Sequence, residues 1–261
     1  MPITRNVAWD AGLESFKGAD TREYALLAAK LARHCGTCRG ALGSGEPVSL
    51  CVDIMRSAAP DGTECLTFTD CVCHRSCKQP ALTVHEAPWT QAELKPVAAR
   101  VLFVQQCDTG RIRVLPILAF TLNPVLTFRE NGGELTSALV SLLLAHRFEL
   151  AVSPDCSALL QQADVAEADC GITITPWSQL LLNVGGENLY REQLDPHSDD
   201  DTAWIQAATR TGRILVISGD YLDITDTGID LDTAARRGAL VIGAVPVIVG
   251  CTTCPSQMGK A

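Results

Sequence analysis

The chain has 261 residues, 47% of them hydrophobic and only 5% aromatic, and it carries a net charge of −9. A core of Leu, Val, Ile and Ala can form, in one large domain or in a small one joined to a medium one, but so few rings disfavour a stacking platform for nucleic-acid bases. Residues 1–100 hold 11 basic and 11 acidic side chains and residues 101–261 hold 10 and 19, which disfavours broad adhesion to DNA or anionic membranes and favours a protein or small-molecule partner.

Arg5, Asp10, Glu14 and Lys17 break up the N-terminal stretch, and no run of 18 apolar residues occurs, so the expectation is a soluble, cytoplasmic protein with reduced thiols. Asp20 and Glu23 form a capping-box pattern, and Tyr24, Leu27, Ala28 and Leu31 follow at helical spacing. This helix leads into a stretch from Cys35 to Cys77 that holds seven of the chain's twelve cysteines among Gly, Ser, Pro and Asp. Such punctuation predicts a small fold that depends on metal.

Pro80, Pro88 and Pro96 mark residues 81–97 as a connector. A hairpin is expected next, from Val97–Gln106 and Ile112–Leu122 around Asp108-Thr109-Gly110. After Asn131-Gly132-Gly133, a helix carries Leu135, Ala138, Leu139, Leu142 and Leu143. Phe148–Val152, Gly171–Thr175 and Leu180–Val184 read as strands. Asp200 or Asp201 then caps a helix ended by Gly212. The apolar run Arg213–Ser218, a helix over 230–237 stopped by Gly238, and a final strand from Ala239 to about Val249 suggest a right-handed parallel crossover. The predicted organisation is α+β or α/β: an N-terminal helix and zinc module over 1–80, a connector over 81–97, a mixed-sheet domain over 98–250 and a tail over 251–261.

Cys35-x2-Cys38 and His74-x2-Cys77 supply four soft ligands in two pairs, which suits tetrahedral zinc, with Gly36 expected to permit the first turn. The segment from Cys35 to Val48 resembles the knuckle and hairpin of treble-clef zinc fingers, and His74-Arg75-Ser76-Cys77 resembles their helical half-site. Cys51, Cys65, Cys71 and Cys73, with His34, leave two alternatives open: a second zinc ion, or buried thiols that pack as small apolar groups. The His-x-Glu pattern of zinc deaminases is missing, since His85 and Glu86 are adjacent, so a structural zinc is favoured over a catalytic one. Cys251-x2-Cys254 reads as a third ligand pair, a redox pair or plain tail.

Asp108-Thr109-Gly110 and Asp226-Thr227-Gly228 resemble the paired loops of aspartic proteases, but Arg111 and Ile229 stand where a small residue would follow each glycine. The strand ending in Ser218-Gly219-Asp220, with Asp223 and Asp226 beyond it, resembles PIN-like metal-dependent ribonucleases, and Leu181–Asn188 resembles their opening strand. Gly185 occupies the place of that family's first metal-binding Asp. The alternative to a non-catalytic zinc-binding adaptor is therefore a divalent-metal hydrolase or nuclease using Asp220, Asp223 and Asp226. A further alternative is nucleic-acid binding by the zinc module through Arg33, Arg39, Arg56, Arg75 and Lys78. Turn-forming and capping roles for the aspartates, including Asp195 and Asp199–Asp201 beside His197, are the plainer reading.

Overall fold

The computed structural model describes residues 1–250 except 5, 59–62, 87–94, 107–111, 130–134, 152, 154–169 and 226–227. Asp108–Gly110, Asn131–Gly133, Asp226, Cys251 and Cys254 thus lie outside the described residues. The strands are β1 Ile3–Thr4, β2 Val7–Ala8, β3 Val48–Ala58, β4 Glu64–His74, β5 Ala81–Glu86, β6 Lys95–Gln106, β7 Ile112–Asn123, β8 Val125–Arg129, β9 Thr136–Ser137, β10 Glu149–Leu150, β11 Gly171–Ile174, β12 Gln179–Val184, β13 Glu187–Gln193, β14 Arg213–Gly219, β15 Asp223–Thr225, β16 Gly228–Asp230 and β17 Leu240–Val249. The α-helices are α1 Glu14–Lys17, α2 Thr21–Leu31, α3 Ala138–Ala145, α4 Asp199–Thr211 and α5 Asp232–Arg236. This is a mixed α+β fold. Among the described residues no helix is long and apolar enough to cross a membrane.

Two compact units divide the chain, one of Met1–Lys95 with Asn123–Ala138, the other of Pro96–Leu122 with Leu139–Ala261. The first is a sheet in the order β1-β2-β3-β4-β8-β9, with β5 beside β3. Its centre is the antiparallel pair β3 and β4, in register from Val48 opposite His74 to Ala58 opposite Glu64. Leu50, Val52 and Ile54 alternate along β3 and Leu66, Phe68 and Val72 along β4, and all six are buried. Helix α2 packs on β2, β3 and β4, burying Tyr24, Leu27 and Ala28 as its periodicity predicts. The expected capping box does not form, because Asp20 sits in helical backbone and accepts no cap hydrogen bond; Thr21 instead donates to the Gly18 carbonyl.

The stretch from Cys35 to Cys77 is therefore not the loop-rich segment its composition suggests. Two 11-residue strands run through it, and their apolar face supplies a core without metal. Strand β5, inside the stretch read as a connector, runs parallel to β3 from Cys51 opposite Ala81 to Arg56 opposite Glu86.

The second unit is a sheet in the order β13-β12-β11-β17-β14-β7-β6, with β10 beside β17. Its central strands are buried on both faces. Leu118, Phe120, Ile214, Val216, Val241 and Val245 point to a core shared with Leu139 and Leu143 of α3 and Trp204 and Ala208 of α4. Their neighbours Ile117, Ala119, Leu215, Ile217, Leu240 and Ile242 point to another, shared with Ala234 and Ala235 of α5. That explains runs such as Ile-Leu-Val-Ile with no polar alternation.

The expected parallel crossover is corrected here: β14 pairs with β17 antiparallel, Gly219 opposite Leu240, and the parallel neighbours are β7 with β14 and β11 with β17. The intervening chain folds back at one end of the sheet as the β15–β16 hairpin and the five-residue α5. Gly219, at φ 148°, lies where a Cβ would strike the Ala239 carbonyl, so the return depends on glycine. Helix α4 is capped by Ser198, whose Oγ accepts from the Asp201 amide at 3.4 Å, rather than by Asp200 or Asp201. Gly212 ends it in left-handed backbone as expected.

Candidate metal centre

Beyond α2, His34 bridges Ala41, and the loop between them closes through the Cys35 amide donating to the Gly40 carbonyl and the Arg39 amide donating to the Cys35 carbonyl, each at 2.8 Å. The left-handed residue of this knuckle is Arg39, at φ 62°, not Gly36. Gly36 is needed for a different reason: a Cβ there would fall on Cys71 Sγ. Its amide donates to the Val72 carbonyl at 3.0 Å, which fastens the knuckle to β4.

The second pair is placed differently from the treble-clef expectation. His74 is the last residue of β4, and the amides of Cys77 and Lys78 both donate to its carbonyl, at 2.9 and 3.1 Å. The chain has only residues 75–80 in which to reverse before β5 starts beside β3, so this half-site is a turn between strands and no helix opens there.

The two turns bring together three sulfurs, of Cys35, Cys38 and Cys77, and one imidazole nitrogen of His74, all within 4.8 Å of one another. Cys38 Sγ and Cys77 Sγ stand 3.4 and 3.8 Å from His74 Nδ1. Zinc bonds of about 2.3 Å to sulfur and about 2.0–2.1 Å to nitrogen at a tetrahedral angle require a separation of about 3.5 Å. The donor set therefore fits a tetrahedral ion. His74 Nε2 lies 3.1 Å from the Ala41 carbonyl oxygen; a carbonyl only accepts, so Nε2 carries hydrogen and the Nδ1 lone pair is left for the thiol side. Glu46 Oε2, itself accepting from the Gly43 amide at 3.1 Å, approaches the same Nε2 at 3.4 Å. Sequence reading missed Glu46 and the Ala41 carbonyl; the only clue was that Glu46 is the sole acidic residue between Cys38 and Asp53.

The Cys38 amide, with further hydrogen bonds from His74 and Thr37, outweighs burial and holds the Cys35 thiol down at about 5. The hydrogen bond with Cys38 pushes His74 up from 6.5, and burial pushes Cys77 up from the ordinary thiol value. Any proton held by His74 Nδ1 or Cys77 Sγ must leave before these atoms can bind an ion. Cys35 is buried while Cys38 and Cys77 are exposed, so the centre opens to solvent on one side.

Of Cys51, Cys65, Cys71 and Cys73, the first and the last two lie together on one face of the β3–β4 pair and Cys65 stands apart. Cys51 stands opposite Cys71 in the β3–β4 register, and Cys71 Sγ lies 3.7 Å from Cys73 Sγ. Cys65 pairs with Ser57 and Phe128, and six residues of strand at about 3.3 Å each keep it roughly 20 Å from Cys71. His34 is exposed and bridges Ala41 through its backbone.

Asp220 is buried in the turn after β14, and Asp223 stands opposite Asp230 in the hairpin; among the described residues the group whose ligand atoms already stand within 4.8 Å of one another is Cys35, Cys38, His74 and Cys77, and it includes neither aspartate. Asp201 is engaged structurally, accepting from Arg100 at 2.6 Å and from the Asp195 amide at 2.8 Å. Of the basic residues around the module, Arg56 pairs with Glu64 and Glu86, and Arg75 donates to the carbonyls of Asn6 and Val48. No protein-family model matches the chain, and neither a curated protein nor a solved structure matches it.

Proposed function

We propose that this is a zinc protein whose metal is structural and whose role is to bind a partner, a protein before a nucleic acid, without catalysis. The observation that carries the reading is the meeting of Cys35, Cys38 and Cys77 sulfurs with His74 Nδ1, while Nε2 is tied back to Ala41. Four protein ligands complete a tetrahedral ion and leave no position for substrate or water. The nearby carboxylate, Glu46, addresses the far nitrogen of the imidazole, where it orients a ligand instead of activating water. The knuckle half of the treble-clef pattern supports the same assignment, although the second half-site is a turn. A protein partner is favoured because Arg56 and Arg75 are already engaged within the first unit, which weakens a phosphate-binding patch, and because the acidic excess lies in the C-terminal part of the chain.

Cobalt substitution tests the closed coordination shell. The thiolate charge-transfer and tetrahedral ligand-field bands of the Co²⁺ protein should not respond to added azide. Bands that shift with azide would mean an exchangeable fourth position and would return the centre to catalysis.

A further inference from the structure

Three of the cysteines left over from the first centre share one place in the first unit. Cys51, Cys71 and Cys73 lie on one face of the β3–β4 pair, Cys51 directly opposite Cys71 and Cys73 two residues further along the same strand. We propose that these three thiols form a second, separate site for a thiophilic monovalent d10 cation, Cu(I). The separation of Cys71 Sγ and Cys73 Sγ, 3.7 Å, is close to what two thiolates on one ion adopt, about 3.8–4.0 Å for bonds of about 2.3 Å at tetrahedral to trigonal angles. Directly opposed residues on an antiparallel pair have Cβ atoms about 4.5–5.5 Å apart, so one side-chain rotation of Cys51, whose sulfur now faces the Gln79 carbonyl at 3.5 Å, brings the third sulfur to the same point.

The surroundings favour a soft ion of low charge. Thr37 Oγ1 lies 3.3 Å from Cys73 Sγ and can donate to its thiolate. The Lys78 ammonium acts on Cys51 and Cys71 and offsets part of the excess negative charge of a Cu(I) trithiolate. All-sulfur, three-coordinate donors suit Cu(I), whereas zinc prefers a fourth ligand. On binding, three S–H bonds are replaced by three Cu–S bonds and three protons pass to solvent, with no change in oxidation state. Gly36 is part of the same arrangement, since its missing side chain is what admits Cys71 beneath the knuckle.

The test uses the full chain with Cys251→Ser and Cys254→Ser, so that the tail pair cannot take copper. Cu(I) is delivered from a chromophoric chelator to the zinc-loaded protein, and both metals are counted after desalting. One equivalent of copper taken up with zinc retained at its starting level is the expected result, and adding Cys51→Ser/Cys71→Ser should abolish that uptake without changing the zinc content. Copper that displaces zinc one for one, or uptake unchanged in the double variant, overturns the proposal. Because the double variant can fail to fold, X-ray absorption at the copper edge is measured on the parent chain as well: three sulfur neighbours support the site and two refute it. A parent that carries no zinc before copper is added refutes the structural-zinc reading instead, so the two failures are distinguishable.

Discussion

Replacing Gly36 by alanine separates the role of the knuckle's shape from that of its ligands. The new methyl would clash with Cys71 Sγ and stand 3.6 Å from Cys73 Sγ, so either Cys71 rotates away or the knuckle lifts off β4 and loses the Gly36–Val72 hydrogen bond. Forcing a methyl into a filled space costs about 1–3 kcal/mol. The strain is relieved when the knuckle lets go, which the metal-free protein can do and the metal-bound protein cannot. It therefore falls mainly on zinc affinity, as a weakening of about 5- to 150-fold. Gly40→Ala is the control: its Cβ would stand 3.4 Å from Cys38 Sγ and 3.7 Å from His74 Cε1, ordinary contacts, and zinc affinity should hold within about threefold. Competition against a chromophoric chelator measures both. Wild-type affinity in Gly36→Ala, or a greater loss in Gly40→Ala, would refute the packing argument.

Cys38→Ser should abolish tight zinc binding yet leave the β-sheet circular dichroism in place, because burial of Leu50, Val52, Ile54, Leu66 and Phe68, of order 10 kcal/mol together, does not involve the metal. Zinc affinity should fall as pH falls from a value above 6.5, since His74 is pushed up from there and must lose its proton to bind; the metal-free fold shows the opposite trend, as the His74 contacts stabilise it below 6.5 and fade as pH rises through the raised value. A chelator titration flat between pH 6 and 8 would contradict this. In the second unit, Arg100 grips Glu192 at 2.8 and 3.0 Å and Asp201 at 2.6 Å. Arg100→Met should cost about 2–3 kcal/mol, less than a fully buried pair because Glu192 is 31% exposed, and should lower the melting temperature by roughly 4–12 °C. Burial alone would raise the Asp201 carboxyl, but the Arg100 hydrogen bond holds it below 3.8; the stability this adds is present at neutral pH and lost on acidification through the depressed value. The variant should therefore lose less stability than the wild type below pH 4, as read by thermal melts.

The meeting of Cys35, Cys38, His74 and Cys77 in a group that could hold a metal ion was legible because chemistry fixes such spacing: two x2 pairs of Cys and His leave few other readings. The strands around them were harder to see because cysteines and threonines occupy one parity of β4, at Cys65, Thr67, Thr69, Cys71 and Cys73, while Leu66, Phe68 and Val72 occupy the other. That alternation is a half-buried strand, hidden by reading the cysteines as loop ligands. It also carried information that residue counting did not use, since strand geometry separates Cys65 from Cys71 and Cys73 despite a shared face. The helix expected after His74 failed for a long-range reason, the pairing of β5 with β3, which no local pattern announces. The β14–β17 direction failed likewise, because a short connection with its own hairpin returns at the same end of the sheet.

The most direct test of the zinc assignment is native mass spectrometry of the protein purified without added metal, before and after chelation and beside His74→Ala. One zinc per chain, removed by chelator and missing from the variant, is the expected result. A chain that carries no metal while its sheets remain folded would contradict it, and the four converging side chains would then be no more than a reduced thiol cluster.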